Sequence, residues 1–164
     1  MGSDFKITTD NNMRYLTLIS LLVLIAFSCK KNDDNEIVQI NYGISFGECI
    51  GYCKHDIHLE SGIIRYTNSG WSDTIETTTC TDFLAKESWD SYTSAIDIKS
   101  FFKLPETIGC PDCTDGGAEF IEIITSGEKH KVTFEYFNEP ETLREIIVGL
   151  RGQIEQGENC GNLN

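Results

Sequence analysis

The chain has 164 residues, 40% of them hydrophobic, and a net charge of −13 from 26 acidic against 13 basic side chains. That length and apolar content fit one domain with a real core and exclude a disordered chain. Asp4 and Asp10 cancel Lys6 and Arg14, so the acidity belongs entirely to the part from Cys29 onward. Such a surface excludes nucleic acid, which needs concentrated Lys and Arg, and suits solubility, cations or a basic protein.

Residues 1–12 carry two carboxylates and one lysine, a poor positive leader, and read as an over-extended start before Met13. Arg14 precedes the apolar run from Tyr15 to Ser28. The run is shorter than the roughly 20 residues of a bilayer span and fits a secretory signal. Ala26 and Ser28 ahead of Cys29 make this junction resemble a bacterial lipobox. The resemblance implies that Cys29 is diacylated, that the signal is cut before it and that the new amino terminus is acylated. More than one acyl chain gives stable anchoring, each buried methylene contributing about 0.8 kcal/mol. Residues 29–36 then form a lipidated cysteine and a charged tether. The tether is similar to the leader of Bacteroidetes lipoproteins. With no acid directly after Cys29, this implies the cell envelope, at the outer membrane, facing the periplasm or the cell surface.

A single domain is expected over residues 37–158, with a tail over 159–164. Residues 37–46 read as a strand bent at Gly43. Gly47 to Gly51 is a turn. Residues 52–60 alternate, with Cys53, His55, Ile57 and Leu59 on one face, as in a half-buried strand. Ser61-Gly62 turns into a partner strand from Ile63. Residues 73–79, rich in Thr, predict an edge strand. Thr81 and Asp82 then offer a helix cap, and Trp89, Tyr92 and Ile96 share a helical face. Phe101, Phe102 and Leu104 fit a short helical turn that Pro105 ends. The segment Gly109-Cys-Pro-Asp-Cys-Thr-Asp-Gly-Gly117 is a dense turn. Residues 119–125 and 129–137 predict a second hairpin around Ser126-Gly127, with His130, Val132, Phe134 and Tyr136 on one face. The last helix takes a capping box from Asn138 and Glu141, with Pro140 in its first turn. Leu143, Ile146, Ile147, Leu150 and Ile154 recur at helical spacing up to Gly157. The sum is an α+β domain: an antiparallel sheet of hairpins with helices packed on one face.

Seven cysteines occur. Setting Cys29 aside leaves Cys49, Cys53, Cys80, Cys110, Cys113 and Cys160, an even set that fits a disulfide framework in an exported domain. Cys110 with Cys113 closes the central turn; the other pairings stay open. A second reading makes Cys110-Pro-Asp-Cys113 a thiol–disulfide exchange site. Against it, the motif runs into Asp115-Gly116-Gly117, which is poor helix material, and Asp112 and Asp115 raise a neighbouring thiol pKa. A third reading gives zinc to Cys49, Cys53 and His55, with His58 and the Cys110–Cys113 pair nearby. His58 falls on the opposite strand face from Cys53 and His55, so one ion does not reach all three. No cofactor is called for, and no acid–base or nucleophilic signature stands out.

Together Ser45-Phe-Gly-Glu-Cys-Ile-Gly-Tyr-Cys53, Trp89, Phe102–Leu104 and Gly109–Glu119 resemble a group of small Bacteroidetes lipoproteins over most of residues 37–155. The resemblance implies class and location and carries no activity. The sequence therefore points to a lipid-anchored, disulfide-stapled, non-catalytic domain that binds an unknown protein or small ligand at the envelope.

Overall fold

A computed structural model of the protein describes residues 34–157, the Thr114 side chain excepted. The signal segment, Cys29, the start of the tether, Cys160 and the tail lie outside the described residues. Among the described residues no helix is long and apolar enough to cross a membrane.

Among the described residues seven strands form one sheet: β1 (Ile37–Ser45), β2 (Lys54–Glu60), β3 (Ile63–Ser69), β4 (Thr78–Phe83), β5 (Thr107–Ile108), β6 (Ala118–Thr125) and β7 (Lys129–Glu135). Their order across the sheet is β4-β3-β2-β1-β6-β7-β5. The helices are α1 (Lys86–Ser94), α2 (Ile98–Phe101) and α3 (Arg144–Gly157), with 3-10 turns at Cys113–Asp115 and Glu141–Leu143. The protein is thus α+β, as expected. The sheet is mixed rather than purely antiparallel: β5 runs parallel to β7, and the other pairs are antiparallel. The chain reaches β5 after α1 and α2, not through a tight turn, so its direction is not forced to reverse. The Thr133 amide donates to the Glu106 carbonyl at 2.8 Å and seats β5 there.

Period-two alternation sorts the strand side chains into two sets. One set is buried: Ile40 and Tyr42, Ile57 and Leu59, Ile64 and Tyr66, Ile121 and Ile123, Val132 and Phe134. Register lines these up, with Tyr42 opposite both Ile57 and Ile121, and Ile121 opposite Val132. Ile37 is buried too, although it is out of phase with Ile40, because the β1–β6 register shifts between Ile37 and Gln39. Trp89, Ile96, Phe101 and the α3 residues Ile146, Ile147, Leu150 and Ile154 belong to the same core cluster. Burying each such side chain contributes about 1.5–3 kcal/mol. Polar contacts tie α3 to β3: Tyr66 Oη donates to Gln153 Oε1 at 3.2 Å, and Asn68 Nδ2 donates to the Gly157 carbonyl at 3.4 Å.

Three boundaries differ from expectation. The edge strand lies at Thr78–Phe83, not at 73–79. Thr81 and Asp82 sit inside it, paired with Arg65 and Ile64, and α1 begins after Ala85 without a side-chain cap. Asn138 does not cap the last helix: its Nδ2 donates to Glu135 Oε2 at 3.0 Å, and a 3-10 turn after Pro140 leads into α3.

Candidate functional site

The two ends of the sheet differ. At one end lie the tight turns Ser61-Gly62 and Ser126-Gly127 together with the entering chain, where the Ser126 amide donates to the Glu36 carbonyl at 3.0 Å. At the other end β1 stops at Ser45, β2 starts at Lys54, β3 stops at Ser69, β4 starts at Thr78 and β6 starts at Ala118. The connections over 46–53, 70–77 and 109–117 gather there, whereas the longest, 84–106, leaves β4 at the turn end beside Gly62. A disulfide joins Cys49 to Cys53 with Cα atoms 5.7 Å apart, and another joins Cys110 to Cys113 with Cα atoms 5.5 Å apart. The Phe46 amide donates to the Cys53 carbonyl, the Cys53 amide to the Ser69 carbonyl, and Trp71 Nε1 to the Phe46 carbonyl at 2.7 Å. The loop carrying the second disulfide packs on the first through glycines. A methyl on Gly47 would stand 2.9 Å from Asp112 Oδ2, and one on Gly117 would stand 2.8 Å from the Phe46 ring. Gly117 also has φ +85, a conformation that side chains disfavour.

This loop end exposes apolar surface. Ile50 is fully exposed at 105%, Trp71 is 54% exposed and Phe137 65%, with Tyr52 also exposed; at the turn end the register partners Ile63 and Phe83 are exposed too. The same loops carry the exposed acids Glu48, Asp73, Glu76, Asp112 and Asp115.

The cysteine readings meet definite geometry. Cys49 and Cys53 are bonded to each other, so a thiolate metal site there would first require reduction. His55 shares its face with Cys53, as the alternation predicts, and its Nδ1 lies 2.8 Å from Asn68 Oδ1. His58 Nε2 lies 2.8 Å from Glu60 Oε1 on the opposite face. His130 Nε2 lies 2.8 Å from the Leu104 carbonyl, packed edge-on to Phe101. Cys110 and Cys113 close the central turn and are both exposed, beside a depression of about 260 Å³ that Glu135 and Tyr136 help to line. Glu135 Oε1 accepts from the Cys110 amide at 2.8 Å, and that bond, with the one from Asn138, holds its carboxyl below the usual range. Cys80 is also disulfide-bonded.

A depression that the sequence did not announce lies on the less buried side-chain set. It measures about 420 Å³ and includes Lys54, Asp56, Trp71, Phe120 and Lys131 in its lining. Two of its lining side chains, Asp56 and Phe120, close over Gly43. Gly43 stands opposite Asp56 on one neighbour and Phe120 on the other, and a methyl there would collide with the carboxylate and the ring. Lys54 Nζ sits 3.6 Å from the centre of the Trp71 ring, and Lys131 Nζ 3.7 Å from that of Phe120. Burial pushes the Asp56 carboxyl up, against the pull of Lys131, Lys54 and His55.

On the buried set, Glu119 is 1% exposed and carries a charge into the core. It is fully engaged. Arg151 donates to it through Nε at 3.0 Å and Nη2 at 3.1 Å, Tyr42 Oη donates at 2.9 Å and the Phe137 amide at 3.1 Å. Arg151 also pairs with Glu139 and lies 4.4 Å from the centre of the Phe137 ring. Burial first, and then the Glu119 charge, push the Tyr42 hydroxyl far above its ordinary range. Among the described residues every buried side-chain nitrogen and oxygen has a partner. The arrangement is a clamp between β1, β6 and α3.

A scan against protein-family models finds no match, and a search of curated proteins finds none either.

Proposed function

We propose that the protein is a non-catalytic binding domain of the bacterial cell envelope, held at the outer membrane by acyl chains on Cys29 and presenting its loop end to a protein partner. The observation that carries the reading is the build of the loop end. The chain enters beside Ser126, while at the opposite end exposed Ile50 and Tyr52 lie inside the Cys49–Cys53 loop, with exposed Trp71 and Phe137 on neighbouring connections. Ordered loops lose less freedom on binding, and an apolar centre with an acidic rim fits a partner that is apolar at its centre and basic around it.

In this reading α1, α2 and α3 pack on one face of the sheet. In support, Arg151, Gln153 and Gly157 reach Glu119, Tyr66 and Asn68, which all belong to the buried set. A lipid on Cys29 leaves Cys160 as the partner of Cys80. Gly157 abuts the Tyr66 ring, and Tyr66 is the register partner of Cys80, so three residues suffice to bring the two cysteines together. The exposed Cys110–Cys113 pair favours a second reading, an envelope thiol–disulfide protein. The ionised Glu135 beside it opposes a low thiol pKa there.

The test is in a bacterium fed labelled palmitate. The full chain is expected to take up label and to sediment with membranes, and Cys29→Ser to lose both. A photo-crosslinking residue at position 50 is expected to trap a basic protein that the same residue at position 62 does not. Equal trapping from both ends would sink the loop-end assignment, and unlabelled wild-type chain would sink the anchor.

A further inference from the structure

We infer that the depression over Gly43 is a binding site for a small organic anion, a carboxylate, sulfate or phosphate carried on a flat or apolar body. The inference goes beyond the proposed envelope role and needs neither the lipid nor the loop-end partner.

Charge is the first argument. In a chain of net charge −13, Lys54 and Lys131 both line this one depression. Among the described residues neither ammonium is in an ion pair. Arg65 and His58 line the adjoining depression together with Lys131. The carboxylates that face the site are accounted for. Asp56 lies in the depression between the two lysines, close enough to feel both, and its burial disfavours its own ionised form. Glu122, the cross-strand neighbour of Lys131, accepts from Asn41 Nδ2 at 2.7 Å. The Glu119 carboxylate is bound to Arg151. The Asn41 amide does not cancel the Glu122 charge, so Lys54, Lys131 and Arg65 stand against Asp56 and Glu122 across the two adjoining depressions, which leaves room for one more negative charge.

Shape is the second argument. Each ammonium rests on an aromatic face, which positions it and takes little of its donor capacity; a lysine has three N–H donors to place. Trp71 is itself pinned through Nε1 to the Phe46 carbonyl. Trp71 therefore forms a fixed wall, Phe120 lies over Gly43, and the ammoniums stand over the two rings at 3.6 and 3.7 Å. A ligand that combines an anionic group with a flat body satisfies both features, whereas a bare cation meets two positive charges.

The chain has two tryptophans, exposed Trp71 and buried Trp89, so Trp89→Phe leaves Trp71 as the reporter. The full-length Trp89→Phe chain in detergent is titrated with benzoate and with benzamide, which share a shape and differ in charge. Benzoate is expected to shift Trp71 emission saturably, at least tenfold more tightly than benzamide. Lys131→Met and Lys54→Met are each expected to weaken benzoate about tenfold, and Lys131→Arg to restore it. Benzoate and benzamide titrating alike, no saturation, or a Lys131→Met chain with unchanged near-UV dichroism and unchanged benzoate binding would each overturn the site. Palmitate labelling and crosslinking from position 50 read other parts of the molecule, so either result here leaves the envelope role separately tested.

Discussion

Glu119 and Gly43 occupy the two sides of the same sheet region and do opposite work. Glu119 brings a full charge into the core and is tolerated because four donors converge on it: two from Arg151, the Tyr42 hydroxyl and the Phe137 amide. A buried ion pair is not by itself a large source of stability, since desolvation offsets much of the attraction. Removing one partner is a different matter, because the other charge stays buried. Glu119→Ala is therefore expected to cost about 3–5 kcal/mol, read as a lower urea midpoint with an unchanged m-value. The double variant Glu119→Ala/Arg151→Met is expected to lose less than the sum of the single changes, as contacting residues do. Additive losses would mean that the two side chains do not act as a unit. Phe137 takes part through its backbone, held at φ +60, which its amide bond to Glu119 and the stacking of Arg151 on its ring help to fix. Gly43 acts by absence: without a Cβ it lets Asp56 and Phe120 lean together over the strand.

At the scale of elements, the hairpins and α3 were legible because each carries a long, unbroken period. The β2–β3 and β6–β7 pairs alternate cleanly around Ser61-Gly62 and Ser126-Gly127, and Leu143 to Ile154 keep helical spacing. The edge strand was placed too early because its position is set by pairing, not by composition. Thr residues run through both 73–79 and 78–83, and register with β3 selects the second, putting Cys80 opposite Tyr66. Asp82 looked like a helix cap, yet its Oδ1 accepts from the Phe83 amide within the strand. β5 has two residues and exists only through contact with β7, so no local signal marks it. The candidate site divides the same way. Its cysteine loops were visible as spacing, whereas Lys54, Asp56, Phe120, Lys131 and Trp71 come from three strands and a loop and meet only in the fold. That Asp56 and Phe120 close over Gly43 follows from register with both neighbouring strands, which no local signal marks. The disulfides make a graded prediction at this scale. Cys49–Cys53 and Cys110–Cys113 close short loops, and in the chain-entropy account each stabilises by about 2 kcal/mol. If Cys80 is bridged to Cys160, as proposed above, that bridge closes a much longer loop and contributes about 4 kcal/mol. Cys80→Ser is thus expected to lower the melting temperature more than Cys110→Ser/Cys113→Ser, and peptide mapping to find Cys80 linked to Cys160. Mild reductant that opens the Cys110–Cys113 bridge alone, and reversibly, would instead favour the thiol–disulfide reading.

The whole molecule is organised by the direction of β1. The chain enters beside the tight turns, where Glu36 and Ser126 bond, and β1 carries it over nine residues to Ser45 and the disulfide-closed loops. At about 3.3 Å per residue the two ends stand roughly 25–30 Å apart. If acyl chains on Cys29 hold the protein, the short charged tether keeps the turn end near the bilayer and the loop end away from it. Charge does not select an end, because exposed acids stand at both: Glu48, Asp73, Glu76, Asp112 and Asp115 on the far loops, and Asp34, Glu36, Glu60, Asp82 and Glu128 near the turns. The arrangement predicts a distance-dependent signal. A fluorophore placed at position 126 through an unnatural amino acid, in the lipidated chain reconstituted into vesicles, is expected to be quenched strongly by a headgroup-attached quencher. The same fluorophore at position 50 is expected to be quenched little, and in a Cys29→Ser chain neither position is quenched. Equal quenching at 50 and 126 would mean that the domain lies flat on the membrane. Its apolar tip, with Ile50, Tyr52 and Trp71 exposed, would then be a lipid contact rather than a surface offered to another protein.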